Sequence, residues 1–275
     1  MYKVFLSVRN RLLISKFCIE ALLKHSDELP HLYIYDNLTD CKVEQHFALC
    51  YKLYEKGLVD QVTFTTKNST FDCFSKAATF NFFGLQHEQD LKKDKYNFLV
   101  CLDSDVIVTP GWDSVLKQAW LDVSKNALKD VLVISHIPGG INERKEVKQI
   151  IAGVKASIGK NGGSGLWSFK NDFFSKVGLL DLKRLVGVNK RHDQLYWGKL
   201  ERVTGGRPYI LGLEHKLGVH CGSLSYSPCN LLTKNKGVEV DLKKVENDTD
   251  KYLEGISFSE FYEAIINDEK LTKEW

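Results

Sequence analysis

No stretch of these 275 residues is apolar for more than a few positions, so nothing in the sequence approaches the ~20 consecutive apolar residues of a membrane-spanning helix. The opening MYKVFLSVRNRLLISKF is interrupted by charge too early for a secretory signal. Together these absences predict a soluble, cytoplasmic protein. CxxC pairs are also missing: the seven cysteines (Cys18, Cys41, Cys50, Cys73, Cys101, Cys221, Cys229) are scattered. That excludes a zinc ribbon or a disulfide scaffold and leaves reduced thiols buried as small hydrophobes. Neither GxGxxG nor GxxxxGK[ST] follows the first apolar stretch, which removes the usual dinucleotide and P-loop fingerprints. Neither sign of charge dominates overall, the net value being only +3.

What is present alternates. YKVFLSV (2–8) reads as a strand, RLLISKFCIEALLKHS (11–26) as a helix, HLYIYDN (31–37) as a strand and 41–56 as a helix. QVTFTT (61–66) is a third strand, 71–87 a third helix, and a fourth strand ends at Asp103. This order predicts an α/β fold with a mostly parallel central sheet and helices on both faces. Ligands of such sheets bind beyond the carboxyl ends of the strands. The ends in question are Ser7 to Asn10, Asp36 with Asn37, and Asp103 with Asp105.

The last of these is the most informative. In FLVCLDSDVIVTPGWD (98–113) a buried strand closes on two carboxylates one residue apart. Like charges so placed repel, and a hard divalent cation removes the repulsion while binding the oxygens of a diphosphate. A DxD by itself also occurs in ordinary surface loops.

Its setting resembles the nucleotide-sugar glycosyltransferases of GT-A fold, most nearly the inverting family-2 type, over residues 2 to about 225. The strand, polar loop and helix of FLSVRNRLLISKFCIEALLKHS, the Asp36 of LYIYDNLTD, SKAATFNFFG, the glycine-containing GKNGGSGLWSF (159–169), KRHDQLYWGKL (190–200) and LGVHCGS carry the resemblance. It implies a donor site drawing on Ser7, Arg9, Asp36, Asn81, Asp103, Gly163 and Trp167. It also implies a cation, Mn²⁺ or Mg²⁺, held by Asp103, Asp105 and His220, with His215 the neighbouring alternative. Asp193 falls at the catalytic base position, and His192 replaces the acid usual before it. The implied co-substrate is a nucleoside-diphosphate sugar, most often a UDP-sugar, transferred to an acceptor hydroxyl with inversion.

The sequence divides into a catalytic domain at 1–233, with a nucleotide-binding half (1–105) and an acceptor half (106–233), and an acidic helical extension at 234–275. In the extension, SFSEFYEAIINDEKL (257–271) gathers Phe258, Phe261, Tyr262, Ile265 and Ile266 on one side, and is expected to pack on the catalytic domain or a second subunit. The resemblance implies a glycan or lipid-linked acceptor, while Lys190, Arg191, Lys199 and Arg202 around Asp193 form a basic rim that would also suit hydroxymethylated DNA. Two other classes fit the carboxylate pair: a metal-dependent nucleotidyltransferase, which would transfer phosphate, and a non-catalytic nucleotide-sugar-binding protein. Oligomeric state is not legible.

Overall fold

The computed structural model describes residues 1–8, 10–36, 42–65, 76–126, 128, 130–135, 149–159, 165–181, 192–207, 209–214, 217–221, 237 and 250–267. Its first half follows the expected alternation: β1 (Lys3–Val8), α1 (Leu12–His25), β2 (His31–Asp36), α2 (Val43–Glu55), β3 (Gln61–Phe64), α3 (Lys76–Gln89) and β4 (Leu99–Asp103). The second half has shorter pieces: β5 (Val106–Val108), α4 (Trp112–Lys125), β6 (Val133–Ser135), β7 (Gln149–Ile151), β8 (Val154–Gly159), β9 (Leu166–Phe169) and α5 (Phe173–Val177). After these come α6 (His192–Val203), β10 (Ile210–Leu213), β11 (Gly218–His220) and α7 (Phe258–Ile266). No helix among the described residues is long and apolar enough to cross a membrane.

Nine strands form one sheet in the order β3-β2-β1-β4-β9-β6-β10-β8-β7. The first four are parallel, and β6 and β10 run with them; β9 and β8 are reversed. The chain leaves β1 toward β2 and β3, then returns to the other side of β1 as β4. The sheet's switch point therefore lies between the carboxyl ends of β1 and β4, where an open α/β sheet has a natural crevice. Ser7 and Asp103 are register partners there.

Period-two alternation sends each strand's side chains to opposite faces. Val4, Leu6 and Val8 of β1 and Val100 and Leu102 of β4 join one core with α1, α4 and α7, while Phe5, Leu99 and Cys101 join a second core with α3, α5 and α6. The second core is rich in aromatic rings, with Phe80 against Tyr196 at 4.4 Å and Phe169 against Phe173 at 4.3 Å between centroids. Such inclined ring contacts add to the burial of large rings.

The C-terminal segment packs on α1, the helix that follows β1. Phe261 is fully buried and stacks on Phe17 of α1 at 4.7 Å, and Phe258 lies 6.1 Å from the same ring. Ser257 caps α7 by accepting from the Glu260 N–H. Just before α7, Asp250 accepts from the backbone N–H groups of Leu12 and Leu13 at 3.1 and 2.7 Å. Helix α1 has no side-chain cap of its own, so a carboxylate 237 positions away supplies what a local Ser or Asp supplies elsewhere.

Candidate functional site

Asp103 is the last residue of β4, and its N–H donates to the Gly165 carbonyl at 2.9 Å. The glycine-containing segment thus enters β9 beside the carboxylate. A two-residue turn separates Asp103 from β5, which leaves the large sheet and pairs antiparallel with β11, setting His220 opposite Val106. The Cys221 N–H then donates to the Asp105 carbonyl at 2.7 Å. This small two-stranded sheet is what brings His220 to a carboxylate 115 positions earlier. Beneath the turn, the Cys18 thiol of α1 donates to the Val106 carbonyl at 3.1 Å. Burial pushes that thiol well above its ordinary pKa, which keeps it a neutral donor.

Asp103, Asp105 and His220 each place a ligand atom within 4.8 Å of the others, at half-buried positions. His220 Nε2 lies 3.4 Å from an oxygen of Asp105. Two hard carboxylate oxygens and one imidazole suit a divalent ion such as Mn²⁺ better than Mg²⁺, which prefers oxygen alone. The donor set present therefore fits the expected cation.

Sequence reasoning missed Arg11. Its guanidinium reaches Asp105 at 3.2 Å from the start of α1. Both Asn10 and Arg11 hold positive φ, 48° and 51°, an uncommon conformation for non-glycine residues. The signal was in the sequence as the second arginine of VRNR, read there as an ordinary first residue of the helix.

The other expected residues are distributed as follows. Ser7 stands beside Asp103 on the neighbouring strand, half-buried. Asp36 ends β2 next to Val8, but strand parity turns it to the α1 and α2 face, where it is 2% exposed and 3.8 Å from His46 Nδ1. Asn81 is a correction: Nδ2 donates to the Leu180 carbonyl at 2.9 Å and Oδ1 accepts the Leu180 N–H at 2.8 Å. Its amide ties α3 to the segment after α5 and is spent on the scaffold. Trp167 is another correction, since it is 1% exposed and packs on Trp197 at 4.8 Å and Tyr196 at 6.1 Å. In this structure it packs against α6.

His192 and Asp193 begin α6, with side chains outside the described residues. Arg9, Gly163, His215, Lys190 and Arg191 also lie outside them. Lys199 is not part of an open rim: its ammonium donates to the Leu179 carbonyl, and desolvation, then the nearby Arg202, lowers its pKa.

No family model matches the sequence, and a comparison with curated proteins finds no match. Solved structures do match. A GalNAc-T7 structure with UDP, GalNAc and Mn²⁺ aligns over 98% of this chain and 57% of its own, at TM-score 0.53 and 12% identity. The mannosyltransferase PcManGT from Pyrobaculum calidifontis, in complex with GDP-Man and Mn²⁺, aligns over 96% of this chain and 74% of its own, at TM-score 0.53 and 13% identity. S. aureus TarS residues 1–349 cover 98% of this chain at TM-score 0.49. The chain has the GT-A fold of the nucleotide-sugar glycosyltransferases.

Proposed function

We propose that the protein is a metal-dependent glycosyltransferase that moves a sugar from a nucleoside diphosphate, UDP in the first instance, to an acceptor hydroxyl with inversion. One observation carries the reading: Asp103, Asp105 and His220 converge within 4.8 Å at the switch point of a GT-A sheet. Similar structures with a nucleotide or nucleotide-sugar and Mn²⁺ at a comparable fold support it.

A bound divalent ion would stabilise the negative charge that builds on the departing diphosphate. Asp105 and His220 would hold that ion, with Asp103 beside them and Ser7 one strand away. Asp193 at the start of α6 would accept the acceptor hydroxyl's proton, a contribution of about 10²–10⁴-fold. The acceptor is proposed to be a saccharide, because Lys199, one of the four cations that made DNA attractive, is committed to Leu179.

Calorimetric titration of UDP, GDP and CDP with and without Mn²⁺, beside Asp105→Asn, tests the donor site. Mn²⁺-dependent binding of one nucleotide, lost in the variant, is the expected outcome. No binding of any nucleotide in either condition overturns the reading. Release of pyrophosphate in place of a nucleoside diphosphate during turnover would assign the site to nucleotidyl transfer.

A further inference from the structure

The guanidinium of Arg11 and a divalent ion on the carboxylate pair cannot both keep Asp105 to themselves. Arg11 Nη1 is 3.2 Å from Oδ2 of Asp105, while His220 Nε2 approaches Oδ1 at 3.4 Å. An ion bound between Asp105 and His220 would add two positive charges within a few ångströms of a third, in a half-buried place where such repulsion is weakly screened. Arginine has five donors in a planar fork and is always charged, so a guanidinium turned from this carboxylate needs another anion close by. We propose that Arg11 is the counter-cation that competes with the metal ion for Asp105 and passes to the donor's diphosphate when that ion binds. The inference rests on the reading of the carboxylate pair as the ion and diphosphate site.

The backbone around Arg11 suits such an exchange. Arg11 occupies the left-handed region, φ 51° and ψ 53°, directly after Asn10 in the same region. Strain of this kind persists only where surrounding contacts determine it. Here the next two amides, Leu12 and Leu13, are fixed by Asp250, and the Arg11 carbonyl accepts from the Ser15 N–H at 3.0 Å as α1 begins. The Cα of Arg11 is thus held at the helix start while its long side chain is 30% exposed.

The test uses Arg11→Met and Arg11→Lys beside the native protein, with titration of Mn²⁺ alone and then of UDP at saturating Mn²⁺. The expected result has opposite signs. Arg11→Met binds Mn²⁺ alone ~3- to 10-fold more tightly, because the competing charge is gone, and binds UDP ~10- to 100-fold more weakly, because a charge-assisted contact is lost. Arg11→Lys keeps the charge without the fork and falls between on both. Local misfolding would weaken both ligands, so weakening of both by Arg11→Met overturns the proposal, as does unchanged Mn²⁺ affinity or undiminished UDP binding. Failure of the native protein to bind UDP, GDP or CDP at saturating Mn²⁺ overturns the donor reading itself, whereas equal binding of the accepted nucleotide by native and Arg11→Met proteins overturns only the role given to Arg11.

Discussion

His46 and His87 are buried histidines whose burial favours the neutral ring. His87 donates from Nε2 to the Asn171 carbonyl at 2.8 Å; among the described residues its Nδ1 has no hydrogen-bond partner, and the same holds for Nε2 of His46. Desolvation is the leading cause that lowers both pKa values, ahead of the raising effect of the Asn171 carbonyl on His87 and of Asp36 on His46. In the unfolded chain both return to the ordinary value of 6.5. The unfolded state therefore binds more protons as pH falls through that value, and the stability these neutral rings contribute, fully present above it, is lost on acidification. The urea midpoint should be flat above about pH 7.5 and drop toward pH 5, with a smaller drop in His87→Gln. An unchanged slope in that variant would show that His87 takes up its proton freely in the folded protein.

At the scale of elements, the pairing of β5 with β11 decides whether the carboxylates and His220 meet. Gly218 permits it: a Cβ there would stand 3.0 Å from Val106 Cγ1 and 3.1 Å from the Ile107 carbonyl oxygen. The second neighbour is backbone and cannot rotate aside. Gly218→Ala should push β11 outward, carry His220 away from Asp105 and weaken Mn²⁺ binding by about 10–100-fold, comparable to the loss of a supporting contact in a metal site. Its fold stability should fall by about 1–3 kcal/mol. Unaltered Mn²⁺ affinity would mean that His220 does not depend on this register, or does not ligate.

Across the whole molecule, the C-terminal segment shares its core with the helix that follows β1. Phe261 is fully buried against Phe17, and Asp250 holds the first amides of α1. Phe261→Ala should lower the unfolding free energy by about 3–5 kcal/mol, seen as a lower urea midpoint for the entire chain. A midpoint equal to that of the native protein would show that α7 is a separate, weakly attached unit. The apolar side of that segment was legible as Phe258, Phe261 and Ile265 at helical spacing, but its seat was not. Spacing reveals that a face must be covered without naming what covers it.

Local pattern determined the alternation of strands and helices, the parallel character of the first four strands and the position of the carboxylates at the end of β4, because side-chain periodicity and strand-end polarity are properties of neighbouring residues. It also located His220, through resemblance. Only tertiary structure decided that Arg11 reaches Asp105, that Asn81 and Trp167 serve the scaffold, and that Asp36 falls on the opposite face beside His46. Those outcomes depend on strand parity, on which rings fill the second core and on a left-handed turn held by a carboxylate from the far end of the chain. Such contacts are set by packing between segments distant in sequence, which no short window contains.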